Sequence, residues 1–90
     1  MKKLRFSGQF RKDFKRYRYL PKKIEALNAI LNLLAAGEPI PAEYYPHPLT
    51  GQYREYLECH VGADFLLIWK DETNDIVYLV RLGSHSELFD

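Results

Sequence analysis

Phe10, Phe14 and Tyr17 recur at intervals of four and three, so they form one stripe of a helix running from about Gly8 to Arg18. Ser7, just ahead, offers a hydroxyl to cap its first turn. Pro21 suits the first position of a second helix, in which Ile24, Leu27, Leu31 and Leu34 recur with Ile30 and Leu33 flanking, until Gly37 ends it. Short alternating or apolar runs elsewhere predict strands at Lys2 to Phe6, Tyr53 to His60, Asp64 to Lys70 and Ile76 to Leu82, rich in aromatic and β-branched residues. Val61 to Ala63 and Asp71 to Asp75 are short enough to be hairpin connections, which makes the last three strands antiparallel neighbours.

Between the helices and these strands, Pro39, Pro41, Pro46 and Pro48 remove backbone donors and fix φ, so Glu38 to Pro48 reads as an ordered loop, neither helix nor central strand. The order strand, helix, helix, strand, strand, strand predicts an α+β domain. Its two N-terminal helices pack on one face of a mainly antiparallel four-stranded sheet. Ninety residues make a single domain spanning 1–90. Cys59 is the only cysteine, which excludes an internal disulfide, and the apolar run Phe65 to Trp69 is far too short for a membrane span. Met1-Lys-Lys-Leu-Arg5 lacks the apolar run of a secretory signal, so a reducing cytoplasm is expected.

The net charge of +1 conceals an asymmetry: residues 1–23 hold ten Lys/Arg against a single acid, Asp13, and the remaining chain is acidic. Arg11, Lys12, Lys15, Arg16, Arg18, Lys22 and Lys23 therefore form a basic face interleaved with aromatic residues, the pattern of a surface that meets a polyanion. A solvated helix face explains the same charges.

The candidate chemistry lies in the other half, where His47, His60, Asp64 and His85 are gathered. Imidazole is the side chain whose ordinary pKa lies nearest neutrality, so several together can hold a proton donor and an acceptor at once. His47 stands between Pro46 and Pro48, which restrict its backbone from both sides. His60 ends one strand and Asp64 begins the next, an arrangement that sets them side by side at one rim of the sheet. Arg81 and His85 share strand parity if the last strand continues past Gly83, and Arg81 then offers a planar cation to a phosphate. Cys59 and His60 point to opposite faces of a strand, and neither Cys-x-x-Cys nor His-x-x-x-His occurs, so neither a metal nor any other cofactor is expected. Phosphate-loop and serine-esterase motifs are missing as well. Histidine, aspartate and arginine acting on a polyanion suit RNA cleavage, in which a base deprotonates the 2′-hydroxyl, an acid protonates the leaving 5′-oxygen and cations surround the phosphate.

Three runs carry a family resemblance: His47-Pro-Leu-x-Gly51, Glu58-Cys-His60-Val-x-x-Asp64-Phe-Leu-Leu-Ile-Trp69 and Leu79-Val-Arg81-Leu-Gly-Ser-His85-Ser-Glu-Leu-Phe89. Together they resemble the YafQ branch of the RelE/ParE superfamily of bacterial toxins from type II toxin–antitoxin systems. The resemblance implies a RelE-like fold and a metal-independent endoribonuclease that enters the ribosomal A site, against the small subunit and its 16S rRNA, and cuts translated mRNA. It also implies silencing by an antitoxin of RelB/DinJ type. His47, His60, Asp64 and His85 fall on the family's catalytic positions, and Phe89 on its C-terminal aromatic, which can stack on a base. Leu57 stands where the family commonly has arginine, Ala63 where it often has proline and Phe65 where it often has tryptophan. Within this reading His47 is the candidate base, His85 the candidate acid and Arg81 the phosphate cation, with His60 and Asp64 tuning or sharing these roles. The alternatives are a ParE-like toxin that inhibits DNA gyrase by binding, and a nucleic-acid-binding domain with no toxicity.

Overall fold

The computed structural model describes residues 1–89. Strand β1 (Lys3–Phe6) leads into helices α1 (Gly8–Tyr17) and α2 (Pro21–Ala36), followed by strands β2 (His47–Pro48), β3 (Leu57–Gly62), β4 (Phe65–Glu72) and β5 (Ile76–Gly83) and a short helix α3 (His85–Phe89). The strands form one five-stranded sheet in the order β1-β5-β4-β3-β2, parallel between β1 and β5 and antiparallel elsewhere.

Both helix starts follow the local signals. The Ser7 hydroxyl accepts the backbone N–H of Phe10 at 2.9 Å, and Pro21 opens α2 where its missing N–H costs nothing. Gly37, at φ +73°, ends α2 in the left-handed region, and the N–H groups of Gly37 and Glu38 close back onto Leu34 and Leu33.

The main core lies between these helices and the sheet, where Phe10, Leu27, Ile30 and Leu34 meet Cys59, Val61, Phe65, Leu67, Trp69, Val77, Leu79 and Leu82. A second cluster of Leu66, Ile68 and Leu88, with Leu49, Tyr56 and Val80 against it, covers part of the opposite face. Strand β4 is therefore buried on both faces, which is why Phe65 to Trp69 reads as an unbroken apolar run instead of an alternating one. Each fully buried leucine there contributes roughly 1.5–3 kcal/mol of burial free energy.

The sheet has five strands, not the four expected. His47 pairs with Glu58 and Pro48 with Leu57, so part of the proline-rich segment becomes a short edge strand. An edge tolerates proline because its outer side has no partner to receive a donor. The same segment also holds a 3-10 turn at Ala42–Tyr44, and a second one at Gly51–Tyr53 delays the next strand until Leu57.

The end of the chain differs too. Strand β5 stops at Gly83, and Ser84 and Glu87 cap α3 reciprocally: the Glu87 N–H donates to the Ser84 hydroxyl at 3.2 Å and the Ser84 N–H to the Glu87 carboxylate at 2.9 Å. His85 therefore stands on a helix, and strand parity with Arg81 does not apply to it.

Candidate active site

Alternation along β3 sends Cys59 and Val61 into the main core and turns Glu58 and His60 to the other face, opposite Ile68 and Leu66 of β4. Edge strand β2 brings His47 beside Glu58. Helix α3, anchored by buried Leu88, brings His85 and Phe89 over the same face.

The result is a row of rings. The centroids of His47 and His60 are 6.3 Å apart, those of His60 and His85 also 6.3 Å, and those of His85 and Phe89 6.0 Å. Tyr53 continues the row 6.4 Å beyond Phe89, and Tyr45 lies 5.6 Å from His60. All three histidines and Phe89, widely separated in the chain, share one open surface on the side of the sheet away from α1 and α2.

Each imidazole is held differently. His47 directs Nδ1 at the Tyr45 carbonyl oxygen, 2.7 Å away, and Nε2 at Glu58 Oε1, 3.2 Å away. His85 donates its backbone N–H to Asp64 Oδ1 at 2.9 Å, with ring Nδ1 3.3 Å from the same oxygen, which leaves Nε2 facing outward. Those two contacts, the backbone N–H first, hold the Asp64 carboxyl below the usual carboxylate range. His60 is half-buried, and its ring makes no hydrogen bond to the described residues. Asp64, expected beside His60, is thus the partner of His85. A bulge between His60 and Gly62 and the left-handed φ of +47° at Asp64 turn its carboxylate toward α3.

Arg81 comes to this neighbourhood by another route. Register along β5 slips so that Ile68 pairs with Arg81 and Trp69 with Leu79, leaving Val80 as an extra residue and turning Val80 and Arg81 to the same face. Arg81 shares a hollow of about 150 Å³ with Tyr53, Tyr56, Ile68, Val80, Leu88 and Phe89. Its guanidinium is engaged: Nε donates to Asp13 Oδ2 at 2.9 Å, and Nη2 reaches Asp13 Oδ1 and the Glu87 carbonyl, each at 3.4 Å. Nη1 makes no hydrogen bond to the described residues.

Asp13 and Glu58, not expected among the site residues, are in contact with them. Asp13 was visible in the pattern, because it falls on the Phe10, Phe14, Tyr17 stripe and is the lone acid among ten bases. Glu58 was visible only as the residue two before His60, hence on its face. Leu57, by the same parity, packs against the main core on the opposite face.

The basic residues divide. Arg16 pairs with Glu87 at 3.0 Å, and the Lys23 ammonium lies 4.8 Å from the Phe65 ring centroid. Arg11, Lys15 and Arg18 rim a hollow of about 600 Å³ floored by Phe6, Phe10, Phe14 and Leu31, on the helix side of the molecule. Lys12 and Lys22 are exposed. The basic face and the row of histidines therefore occupy different sides, with Arg16 reaching round to α3.

The family model described as "Bacterial toxin of type II toxin-antitoxin system, YafQ" matches residues 2–90. The mRNA interferase toxin YafQ of Escherichia coli strain K12 is 36% identical over 87 residues, covering 96% of this chain and 94% of that protein. Among solved structures, the E. coli DinJ-YafQ complex matches with a TM-score of 0.86 at 34% identity over 100% of both chains. A copper-bound mutant toxin from Helicobacter pylori matches with a TM-score of 0.89 at 35% identity, over 99% of this chain and 100% of that one. Among the described residues here, no three or more His, Cys, Asp or Glu side chains are grouped closely enough to hold a metal ion. No helix among them is long and apolar enough to cross a membrane.

Proposed function

The chain belongs to the YafQ family of bacterial toxins from type II toxin–antitoxin systems, and we propose that it is an mRNA interferase, a metal-independent endoribonuclease that cuts message on the ribosome. The row of His47, His60 and His85 carries this reading, since its rings stand close enough to face one phosphodiester together. His60 accepts the 2′-hydroxyl proton, because its ring nitrogens are not engaged by the described residues, whereas both nitrogens of His47 already face acceptors. The 2′-oxygen forms its bond to phosphorus in line as the bond from phosphorus to the 5′-oxygen breaks. His85, oriented by Asp64, delivers a proton from Nε2 to that leaving oxygen, leaving a 2′,3′-cyclic phosphate and a 5′-hydroxyl. Arg81 Nη1 supplies charge beside the phosphate, and Phe89, 43% exposed at the end of the row, stacks on a base, an interaction worth about 1–3 kcal/mol.

Arg11, Lys12, Lys15, Arg16, Arg18, Lys22 and Lys23 then contact ribosomal RNA of the small subunit in the cytoplasm, with binding that weakens steeply as salt rises. A DinJ-type antitoxin is the silencing partner, supported by the E. coli complex. The interferase name of the relatives favours cleavage over the gyrase-binding alternative.

Translating ribosomes incubated with the purified protein provide the test, with message ends mapped for the wild type and His85→Ala. Cleavage by the wild type alone is expected. Intact message with both sinks the nuclease, and cleavage that survives the substitution removes His85 as the acid. A supercoiling assay with gyrase tests the binding alternative.

A further inference from the structure

Glu58 has no task in the reaction just described, yet its side chain is only 5% exposed and stands in the row of histidines. The register of β2 on β3 makes it the direct cross-strand neighbour of His47, and Pro46 and Pro48 restrict the backbone on either side of that histidine. Oε1 lies 3.2 Å from His47 Nε2, while Oε2 is buried with no hydrogen-bond partner among the described residues.

Proton counting decides what this contact is. The Tyr45 carbonyl oxygen, 2.7 Å from Nδ1, can only accept, so Nδ1 carries a hydrogen. A neutral imidazole has just that one, and its Nε2 then turns a lone pair on a carboxylate oxygen. Both contacts are favourable only if a second proton sits between Nε2 and Oε1. Imidazole is the more basic of the two group types, and the His47 side chain is 43% exposed, so water solvates the charge on the ring. An unpaired buried carboxylate is costly, and a cation beside it offsets that cost.

We propose that Glu58 is a positioning residue that holds His47 as a doubly protonated imidazolium, so that His47 serves as a fixed cation for the scissile phosphate and not as the proton acceptor. This rests on the nuclease reading for its role in catalysis, though not for the protonation itself. The titratable groups facing His47 are Glu58, His60 and Tyr45, with Lys2, Glu38 and Asp71 across the adjoining hollow.

Glu58→Gln keeps the shape, and its amide can donate to Nε2, which leaves a neutral ring satisfied. Long-range proton–nitrogen NMR of the free wild-type protein at neutral pH should show both His47 nitrogens protonated, and in Glu58→Gln Nδ1 alone. A bare Nε2 in the wild type, or a ring still doubly protonated in the variant, overturns the proposal. On ribosomes, the single-turnover cleavage rate of Glu58→Gln should fall about 10²-fold with message affinity unchanged. That deficit should narrow as pH is lowered and solution protons restore the imidazolium. A deficit equal at every pH marks a merely structural role and overturns the assignment. If the variant does not fold, the wild-type spectrum decides alone. If the wild type leaves message intact, the nuclease reading fails while the spectrum still reports the protonation of His47.

Discussion

Asp13, 1% exposed on α1, accepts the Nε–H of Arg81 at 2.9 Å and the backbone N–H of Leu82 at 3.0 Å, tying the first helix to the last strand. Strand β1 pairs with β5 only as far as Leu79, and beyond it the edge of β5 is unpaired by any strand. Helix α1 takes over: the Ser7 N–H donates to the Leu79 carbonyl, the Ser7 hydroxyl donates to the Val80 carbonyl, and Asp13 receives the next free amide. A buried carboxylate thus continues the ladder that β1 leaves unfinished and, by the same contact, sets the position of Arg81.

Asp13→Ala should destabilise the fold by about 3 kcal/mol in urea denaturation, since it leaves Arg81 and the Leu82 amide without their partner. Burial raises the Asp13 carboxyl, but the hydrogen bonds from Arg81, Leu82 and Gln9 outweigh it and leave the group below its ordinary value. The stabilisation is therefore present above the ordinary carboxylate range and lost as pH falls through the depressed native value. The wild-type advantage over the variant should shrink on acidification over that window, and an advantage that is flat with pH contradicts the account.

Glu87 links the same helix to the site. Its carboxylate accepts the Tyr17 hydroxyl and pairs with Arg16 while capping α3, so α1 holds the helix that carries His85 and Phe89. Burial first, and then the Glu87 contact, push the Tyr17 phenol up to about 12. Glu87→Gln retains the cap, because glutamine serves in a capping box as well, but removes the charge. Ultraviolet titration should show Tyr17 ionising at lower pH in the variant while still above the ordinary range. A raised native value gives stability that is complete below the unfolded value and lost as pH rises toward about 12, so the wild-type advantage over the variant should shrink as pH rises through that window.

How much of this was legible in the chain depends on whether the signal was local. Ser7, Pro21 and Gly37 act on the backbone within a few residues, and each marks a boundary that the structure keeps. The Ser84-x-x-Glu87 box is equally local, and it starts α3 where β5 ends at Gly83. The edge strand at His47 and Pro48 had no local signal, because the prolines that argue against a strand are tolerated only when the strand lies at an edge, and edge placement is a tertiary fact. The three histidine rings stand in one row, but their partners differ from those expected: Asp64 goes to His85 because of a bulge, and Arg81 is committed to Asp13 sixty-eight positions away.

Cys59 reports on the core between helices and sheet. Burial, with the charge of Glu58 adding to it, pushes its thiol up to about 12, so almost no thiolate exists near neutrality. A thiol reagent at pH 8 should label the native protein only through its small unfolded population. Labelling should accelerate in Asp13→Ala, in proportion to that variant's larger unfolded population. Rapid labelling of the folded wild type contradicts the buried placement.

Asp64→Asn isolates the orientation of His85 from the stability of the fold. Asparagine tolerates the left-handed backbone at this turn and its oxygen still accepts the His85 amide, so the thermal midpoint should not move. The imidazolium from which His85 delivers its proton loses its counter-charge, and cleavage on ribosomes should fall roughly 10-fold to 100-fold, short of the full acid–base contribution because the acid itself remains. The His85 amide and then its ring keep Asp64 ionised below the usual carboxylate range. Asp64 therefore carries its charge at neutral pH, and the wild-type advantage over the variant depends on that charge. A ratio of wild-type to variant rate near one at neutral pH in single-turnover assays removes Asp64 from the mechanism.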